Sequence, residues 1–148
     1  MKKNKPIYYS SYLKLDKILN AQTTESEKTN NPIHDEKLFI ITHQTYELWF
    51  KQIIIELQSI NKMFSNDFVQ ESNIGLLVAR CERICKILKL LIQQVDILET
   101  MSALDFLEFR NLLNPASGFQ STQFRMIENM MGLERSNRTK FNKQEYDK

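Results

Sequence analysis

Glycine and proline are scarce in this sequence, whose 148 residues contain only three of each. Both residues interrupt helices and form turns, so their scarcity predicts long helices with few connections. The sequence also lacks an apolar run of about 18 residues, the length needed to span a bilayer. Its basic beginning has no apolar segment and therefore does not resemble a signal peptide. We expect one cytoplasmic, all-α domain.

An excess of charge of either sign is also missing. Twenty basic and 18 acidic side chains give a net charge of +2, and hydrophobic residues make up 42% of the chain. These values are ordinary for a soluble globular domain with a core. The balance gives no electrostatic reason to expect nucleic acid or an acidic membrane as a partner.

Cysteine is limited to two residues, Cys81 and Cys85, which stand four apart in a helical pattern. One helical turn places them on the same face, but a CxxxC spacing without nearby histidines is weak evidence for a metal site. We therefore expect two reduced, buried thiols and no metal site.

Residues 34–65 predict a long helix, since they contain neither glycine nor proline. The helix carries two apolar stripes, so it is either buried on two sides, or has the core on one side and a ligand on the other. Trp49, the sole tryptophan, is predicted to be a core anchor. The first stripe comprises Leu38, Ile41, Thr45, Leu48 and Ile55, and the second comprises Phe39, His43, Phe50, Ile54 and Leu57.

Residues 74–98 show the most regular pattern, with apolar positions separated alternately by three and four residues. This pattern predicts a coiled-coil-like seam that packs antiparallel to the 34–65 helix. Residues 66–73 are predicted to form the turn between the two helices, with Ser72 or Asn73 as the helix cap. The seam comprises Ile74, Leu77, Cys81, Ile84, Leu88, Leu91, Val95 and Leu98.

Shorter segments precede this pair of helices. Residues 7–20 fit one amphipathic helix, whose tyrosines either pack against a neighbouring element or form the wall of an aromatic pocket, in this subunit or another. Residues 21–33 are polar and aperiodic and predict a mobile loop, after which His34 or Asp35 caps the next helix.

Two short helices are predicted to follow the pair. Residues 102–113 begin with a variant of the capping box, with Ser102 followed three residues later by Asp105. Residues 120–132 form a second amphipathic helix that ends at Gly132. We expect residues 1–6 and 134–148 to be disordered.

Candidate functional residues lie on these helices and on the loop between the last two. His43 is an isolated histidine on an apolar stripe, a position more typical of a hydrogen-bonded core residue than of a catalytic one. Arg110 lies on one face with Phe106 and Leu113, so it requires either a bound anion or one of the chain's own carboxylates. Between Arg110 and Arg125 lies a run of small and hydroxyl-bearing residues, as in a loop that lies close to a bound molecule. The run comprises Asn114, Ala116, Ser117, Ser121 and Thr122.

Three long blocks, in the same order, resemble the tryptophan 2,3-dioxygenase family. They are YSSYLKLDKILNAQ, HDEKLFIITHQTYELWFKQIIIEL and MSALDFLEFRNLLNPASGFQSTQFRMIE. The resemblance implies a helical bundle that binds haem and assembles as a homotetramer. It also implies insertion of both atoms of O2 across the indole C2–C3 bond of L-tryptophan, which gives N-formylkynurenine in tryptophan catabolism.

The resemblance also assigns roles to individual residues. His43 matches the catalytic histidine that hydrogen-bonds the indole N–H, and Arg110 matches the arginine that binds the substrate carboxylate. Ser117 and Gly118 match the loop beside haem and oxygen. Tyr9, Tyr12 and Leu13 match residues that a neighbouring subunit lends to the site. The remaining matches to the substrate pocket are Phe39, Ile40, Ile41, Thr42, Phe106 and Leu113.

The resemblance covers the N-terminal half of the family's domain and leaves out the half that carries the proximal haem histidine. The chain has two histidines, His34 and His43, and neither matches that iron ligand. We expect a truncated domain, inactive alone, that works as a homo-oligomer or with a complementary C-terminal polypeptide. The alternatives are a non-catalytic helical binding module derived from the family and a plain helical bundle.

Overall fold

Helices make up most of the fold, as the scarcity of glycine and proline predicts. The computed structural model describes residues 6–65 and 68–140. These residues include no strand, so the all-α prediction is confirmed. The described part also has no helix that is long and apolar enough to cross a bilayer. The α-helices are α1 Tyr9–Leu13, α2 Leu15–Ile18, α3 Glu25–Lys28, α4 His34–Phe64, α5 Glu71–Leu98, α6 Ala103–Arg110 and α7 Thr122–Met130.

The core lies where α4 packs against α5 and α7. Tyr46 donates a hydrogen bond to the carbonyl of Leu91, and Arg83 binds Glu56, so α4 and α5 run antiparallel as predicted. Each buried aliphatic side chain contributes about 1.5–3 kcal/mol by leaving water. The buried members of this cluster are Ile53, Ile54, Leu57, Ile60, Ile84, Ile87, Leu91 and Ile127.

The face that α5 turns toward α4 differs from the predicted seam. Ile74, Cys81 and Val95 are exposed, whereas Ile87, outside that seam, is buried. Helix α5 packs mainly against α4, and one neighbouring helix covers only a narrow strip of it, at Ile84, Ile87 and Leu91. On that side Arg80 and Arg83 also meet the requirement of the buried Glu56 for cationic partners. Apolar spacing alone does not include this requirement.

Three further side chains are more exposed than predicted. Cys81 and Cys85 are free but exposed, so the prediction of buried thiols is wrong. Trp49 keeps 37% of its surface exposed and is not a core anchor. It lies beside the first apolar stripe of α4, where Ile41 and Ile55 are also about half exposed, at 48% and 49%. The core and the candidate site both use the second stripe.

The segment before α4 is more structured than predicted. Lys14 adopts a left-handed conformation with φ 54°, which divides the expected single helix into α1 and α2. The predicted mobile loop contains α3, and the side chains of Thr24 and Ser26 are buried within it. Helix α4 begins at His34 without a side-chain cap, so neither His34 nor Asp35 caps it.

The ends of the later helices follow the predictions only in part. The capping box of α6 is confirmed, because Ser102 and Asp105 exchange hydrogen bonds of 3.2 and 3.1 Å. Gly132 ends α7 as predicted, with φ 73°. Helix α5, by contrast, begins at Glu71, so Ser72 and Asn73 lie within its first turn.

Parts of the predicted turn and tails lie outside the described residues. These parts are residues 66–67 of the turn and residues 1–5 and 141–148 of the tails. The described part of the C-terminal tail includes a short 3-10 helix, Arg135–Asn137.

Candidate functional site

A cavity of about 610 Å³ lies between α4, α6 and the loop that joins α6 to α7. This volume is within the usual range for small-molecule sites. The cavity brings together residues that are far apart in the sequence, and its wall is mainly apolar with a few polar groups. It is lined by Phe39, Ile40, His43, Gln44, Glu47, Phe106, Arg110, Leu113, Ala116, Ser117, Gly118, Gln120 and Ser121.

Three phenylalanines attach α6 to α4 and orient its last turn. Phe109 has no exposed surface, and its ring lies 5.6 Å from that of Phe39 and 5.5 Å from that of Phe106, centroid to centroid. Both pairs have the edge-to-face arrangement that aromatic rings favour. Since Phe109 is buried, Phe106 and Arg110, one turn apart, reach the cavity on a neighbouring face of the helix.

His43 is held in one orientation by Phe39, one turn before it on α4. The two rings lie 4.0 Å apart, and Nδ1 of His43 is 2.7 Å from the main-chain oxygen of Phe39. A carbonyl oxygen can only accept a hydrogen bond, so Nδ1 carries the proton. In the neutral ring, Nε2 is then an acceptor. The site therefore presents a hydrogen-bond acceptor to a ligand N–H.

Arg110 places a positive charge in the same cavity. Its guanidinium forms no hydrogen bond or salt bridge with any residue that the structure describes, although the residue is half-buried. Arg125, at the other end of the loop, instead pairs with Glu128 at 2.5 Å. The sequence left open a structural salt bridge for Arg110, and the described residues contain none. Arg110 is therefore available to bind an anion in the cavity.

A second cavity, of about 380 Å³, adjoins this one at the loop between α6 and α7. His43, Ser117 and Gly118 line both cavities. Ser117 Oγ accepts a hydrogen bond from the Phe119 N–H at 3.3 Å, which leaves the hydroxyl proton free to be donated. A Cβ on Gly118 would meet no atom within 4 Å, so open space lies directly beside its backbone.

Gln123 holds the far end of the loop against α4. Its amide donates to the main-chain oxygen of Glu47 at 2.8 Å and to the Glu47 carboxylate at 2.7 Å. Glu47 lies one turn beyond His43 and lines the same cavity. The sequence predictions did not include this pair, although the spacing of Glu47 from His43 was a signal that could have identified it.

Some predicted site residues lie elsewhere. Ile41 is 48% exposed and does not line either cavity. Thr42 is buried against α5, where its carbonyl accepts a hydrogen bond from Gln94 at 3.3 Å. Helix α1 carries Tyr9, Tyr12 and Leu13, which are 75%, 72% and 36% exposed and do not line these cavities.

Tyr46 and Phe124 line the second cavity and were not among the site residues predicted from the sequence. Tyr46 and Phe50 extend the His43 side of α4, and Phe124 packs on Phe50 with the ring centroids 5.4 Å apart. Burial raises the pKa of the Tyr46 hydroxyl, which donates to Leu91 at the core. Within the described residues no group of three or more histidine, cysteine or acidic side chains could hold a metal ion.

Comparison with known proteins assigns a family to this arrangement. The family model described as tryptophan 2,3-dioxygenase matches residues 2–148. The chain belongs to the tryptophan 2,3-dioxygenase family. This finding agrees with the resemblance of the three sequence blocks.

Relatives in this family come from distant organisms. A tryptophan 2,3-dioxygenase of Dictyostelium discoideum is 56% identical over 96% of this chain, and one of Mus musculus is 55% identical over 95%. One of Bdellovibrio bacteriovorus is 54% identical over 97%. The chain spans 36%, 35% and 40% of these proteins, respectively, a smaller share than the half expected from the sequence.

Proposed function

We propose that the larger cavity binds L-tryptophan and that the chain supplies the substrate-binding part of a tryptophan 2,3-dioxygenase. The complete reaction inserts both atoms of O2 across the indole C2–C3 bond and gives N-formylkynurenine. The main supporting observation is Arg110, an arginine without a carboxylate partner among the described residues, in one apolar cavity with His43 and Phe39.

The carboxylate, the indole ring and the indole N–H of L-tryptophan each have a suitable partner in this cavity. The planar guanidinium of Arg110 can bind the substrate carboxylate through two hydrogen bonds. Phe39 and Phe106 offer apolar surface to the indole ring. Nε2 of His43 accepts a hydrogen bond from the indole N–H, because Nδ1 already donates to Phe39. These contacts orient the substrate at both ends.

The loop residues fit the edge of a haem site. Gly118 has open space beside its backbone, and Ser117 can donate a hydrogen bond there, so these two residues would lie against the cofactor. When bound, the haem supplies the oxygen chemistry. His43 is assigned to the substrate, and His34 is exposed at the start of α4. We expect the proximal iron ligand to come from outside this chain.

Catalysis is expected only after the chain is completed by other parts of the family domain. The chain spans about a third of its relatives, and an iron without its axial ligand is held weakly. A complementary C-terminal polypeptide would provide the missing contacts, whereas a homo-oligomer would add only those of Tyr9, Tyr12 and Leu13 from a neighbouring copy. Haem titration tests this expectation. A sharp Soret band together with tryptophan-dependent product formation by the isolated chain would contradict it.

The pocket around Arg110 is equally consistent with a second candidate, a helical module that binds ligand without catalysis. The two functions predict different turnover when the chain is mixed with a polypeptide that carries the remaining family helices. An enzyme part gains turnover in the mixture, whereas a binding module does not. Either function retains the pocket around Arg110.

Calorimetric measurement of L-tryptophan binding, in the presence of added haem, tests the pocket itself. We expect Arg110→Ala to weaken L-tryptophan binding by about 10- to 100-fold, the value of a charge-assisted hydrogen bond. Arg135→Ala is the matched control, since Arg135 is exposed in the C-terminal tail. Tryptamine, which has no carboxylate, should bind wild type and Arg110→Ala alike. Equal L-tryptophan affinities of wild type and Arg110→Ala would exclude the proposed site.

A further inference from the structure

A fully buried carboxylate outside the cavity has no role in the binding contacts described above. Glu36, in the first turn of α4, has no exposed surface. Its two oxygens accept hydrogen bonds from the main-chain N–H groups of Glu25 and Ser26, at 2.7 and 2.9 Å. A buried carboxylate is costly unless it is hydrogen-bonded, and here each oxygen has a donor. Glu36 thereby ties the start of α3 to α4.

The segment around α3 is compact because of further internal hydrogen bonds. Ser26 Oγ accepts from the Ile33 N–H at 3.0 Å, and Thr24 Oγ1 accepts from the Glu27 N–H at 3.3 Å. The side chains of Thr24 and Ser26 are buried. A polar stretch that sequence alone suggests to be mobile is therefore a packed support.

The surface that this support contacts belongs to the cavity wall. Helix α3 packs against the 3-10 turn Asn111–Leu113. That turn follows Arg110 directly, and Arg110 and Leu113 both line the cavity. Glu36 itself does not line it. A contact path thus leads from the Glu36 carboxylate through α3 to the carboxylate-binding end of the cavity.

We propose that Glu36 is a positioning residue for the substrate site. Its carboxylate holds α3, and α3 supports the turn that fixes Arg110 and Leu113. The role rests on the proposed function only in the identity of the ligand, since the support is a property of the chain. Glutamine at this position retains the size of the side chain but replaces one acceptor with an NH2 group, which faces an N–H and leaves it unsatisfied.

Two variants separate this role from a general loss of charge. Glu36→Gln removes one acceptor at α3, whereas Glu25→Gln makes the same charge change on a neighbouring residue, whose carboxylate pairs with Lys28 at the surface. We expect Glu36→Gln to weaken L-tryptophan binding about tenfold, as when the turn holds Arg110 in its binding position about a tenth of the time. Tryptamine binding, which does not use the carboxylate contact, should change by less than about threefold. Glu25→Gln should leave both affinities unchanged.

Hydrogen exchange tests the support without a ligand. In Glu36→Gln we expect the amides of residues 106–113 to exchange about tenfold faster than in wild type and in Glu25→Gln. Ser26→Ala, which removes the acceptor for Ile33 but keeps the carboxylate, should act in the same direction and serves if Glu36→Gln does not fold.

Ligand affinity and hydrogen exchange together distinguish a failure of the proposed function from a failure of the positioning role. If wild type does not bind L-tryptophan but exchange at residues 106–113 rises in Glu36→Gln, the proposed function fails and the support role stands. Unchanged exchange at these residues in both Glu36→Gln and Ser26→Ala would overturn the positioning role. An equal loss of L-tryptophan and tryptamine affinity would also overturn it, because the effect would not be specific to the Arg110 end.

Discussion

The carboxylate of Glu56 offers a direct test of the interface between α4 and α5. Glu56 is 4% exposed and accepts hydrogen bonds of 2.6 Å from both Arg83 and Gln52, with Arg80 at 3.6 Å. Burial by itself would raise the pKa of this carboxyl. The hydrogen bonds from Arg83 and Gln52 and the charges of Arg83 and Arg80 outweigh burial, so the pKa lies below its ordinary value.

The stability that Glu56→Gln should lose depends on how exposed the arginine partners of Glu56 are. Removing one member of a buried ion pair costs about 3–5 kcal/mol when the remaining charge stays buried and cannot be hydrated. Here the side chain of Arg83 is 55% exposed and that of Arg80 is 23% exposed, so water can hydrate them. We therefore expect Glu56→Gln to reduce the free energy of unfolding by about 2 kcal/mol at pH 7.

The effect should depend on pH with a defined sign. Because the folded-state pKa is lowered, the stabilisation is present above the unfolded value of about 4.3 and is lost as pH falls through the folded pKa. Urea denaturation of wild type and Glu56→Gln should thus show a stability difference that shrinks between pH 7 and pH 3. The exposed pair Glu25–Lys28 is the control, and Glu25→Gln should cost under about 0.5 kcal/mol. A difference for Glu56→Gln that is the same at both pH values would refute the reasoning.

Three further predictions concern the site and the helix ends. Phe109→Ala should lower the free energy of unfolding by about 3–5 kcal/mol, because the side chain is completely buried. Urea denaturation measures this change, and a cost below about 1 kcal/mol would contradict the packing of α6. Gly118→Ala should change the free energy of unfolding by less than about 0.5 kcal/mol, because the new Cβ meets no atom within 4 Å. It should nevertheless reduce the Soret absorbance when haem is titrated into the chain mixed with a polypeptide that carries the remaining family helices, and unaltered absorbance would count against the haem edge. Gly132→Ala should lower the free energy of unfolding by about 1–2 kcal/mol, because alanine is strained at the left-handed φ of 73°. The melting temperature should fall accordingly, and an unchanged value would argue against this helix end.

Some features that depend only on neighbouring residues in the chain were predicted correctly, although the caps of α4 and α5 were not. The capping box of Ser102 and Asp105 and the helix end at Gly132 involve bonds within a few residues, so the sequence contains all their components. The spacing of Phe39 and His43 likewise places both residues on one face of α4, and both line the cavity.

Features that depend on partners distant in the sequence were predicted less well. The apolar stripe on α5 was predicted from spacing alone, which does not show how little of the helix α4 covers, so Ile74 and Val95 were assigned to a buried seam although they are exposed. The polar segment before α4 was predicted to be mobile because its main anchor, Glu36, is ten residues beyond Ser26 in the sequence. No local pattern indicates such a pair.

The sequence by itself determined the helical class, the extent of the two long helices to within a few residues, and the identity of the candidate residues His43 and Arg110. Only the tertiary structure decided which partners those residues have. It left Arg110 without a carboxylate among the described residues, and it oriented His43 through Phe39. The physical reason is the sequence separation of the interacting residues. Helix formation and capping depend on residues a few positions apart, whereas the partner of a charged side chain is set only when distant segments pack together.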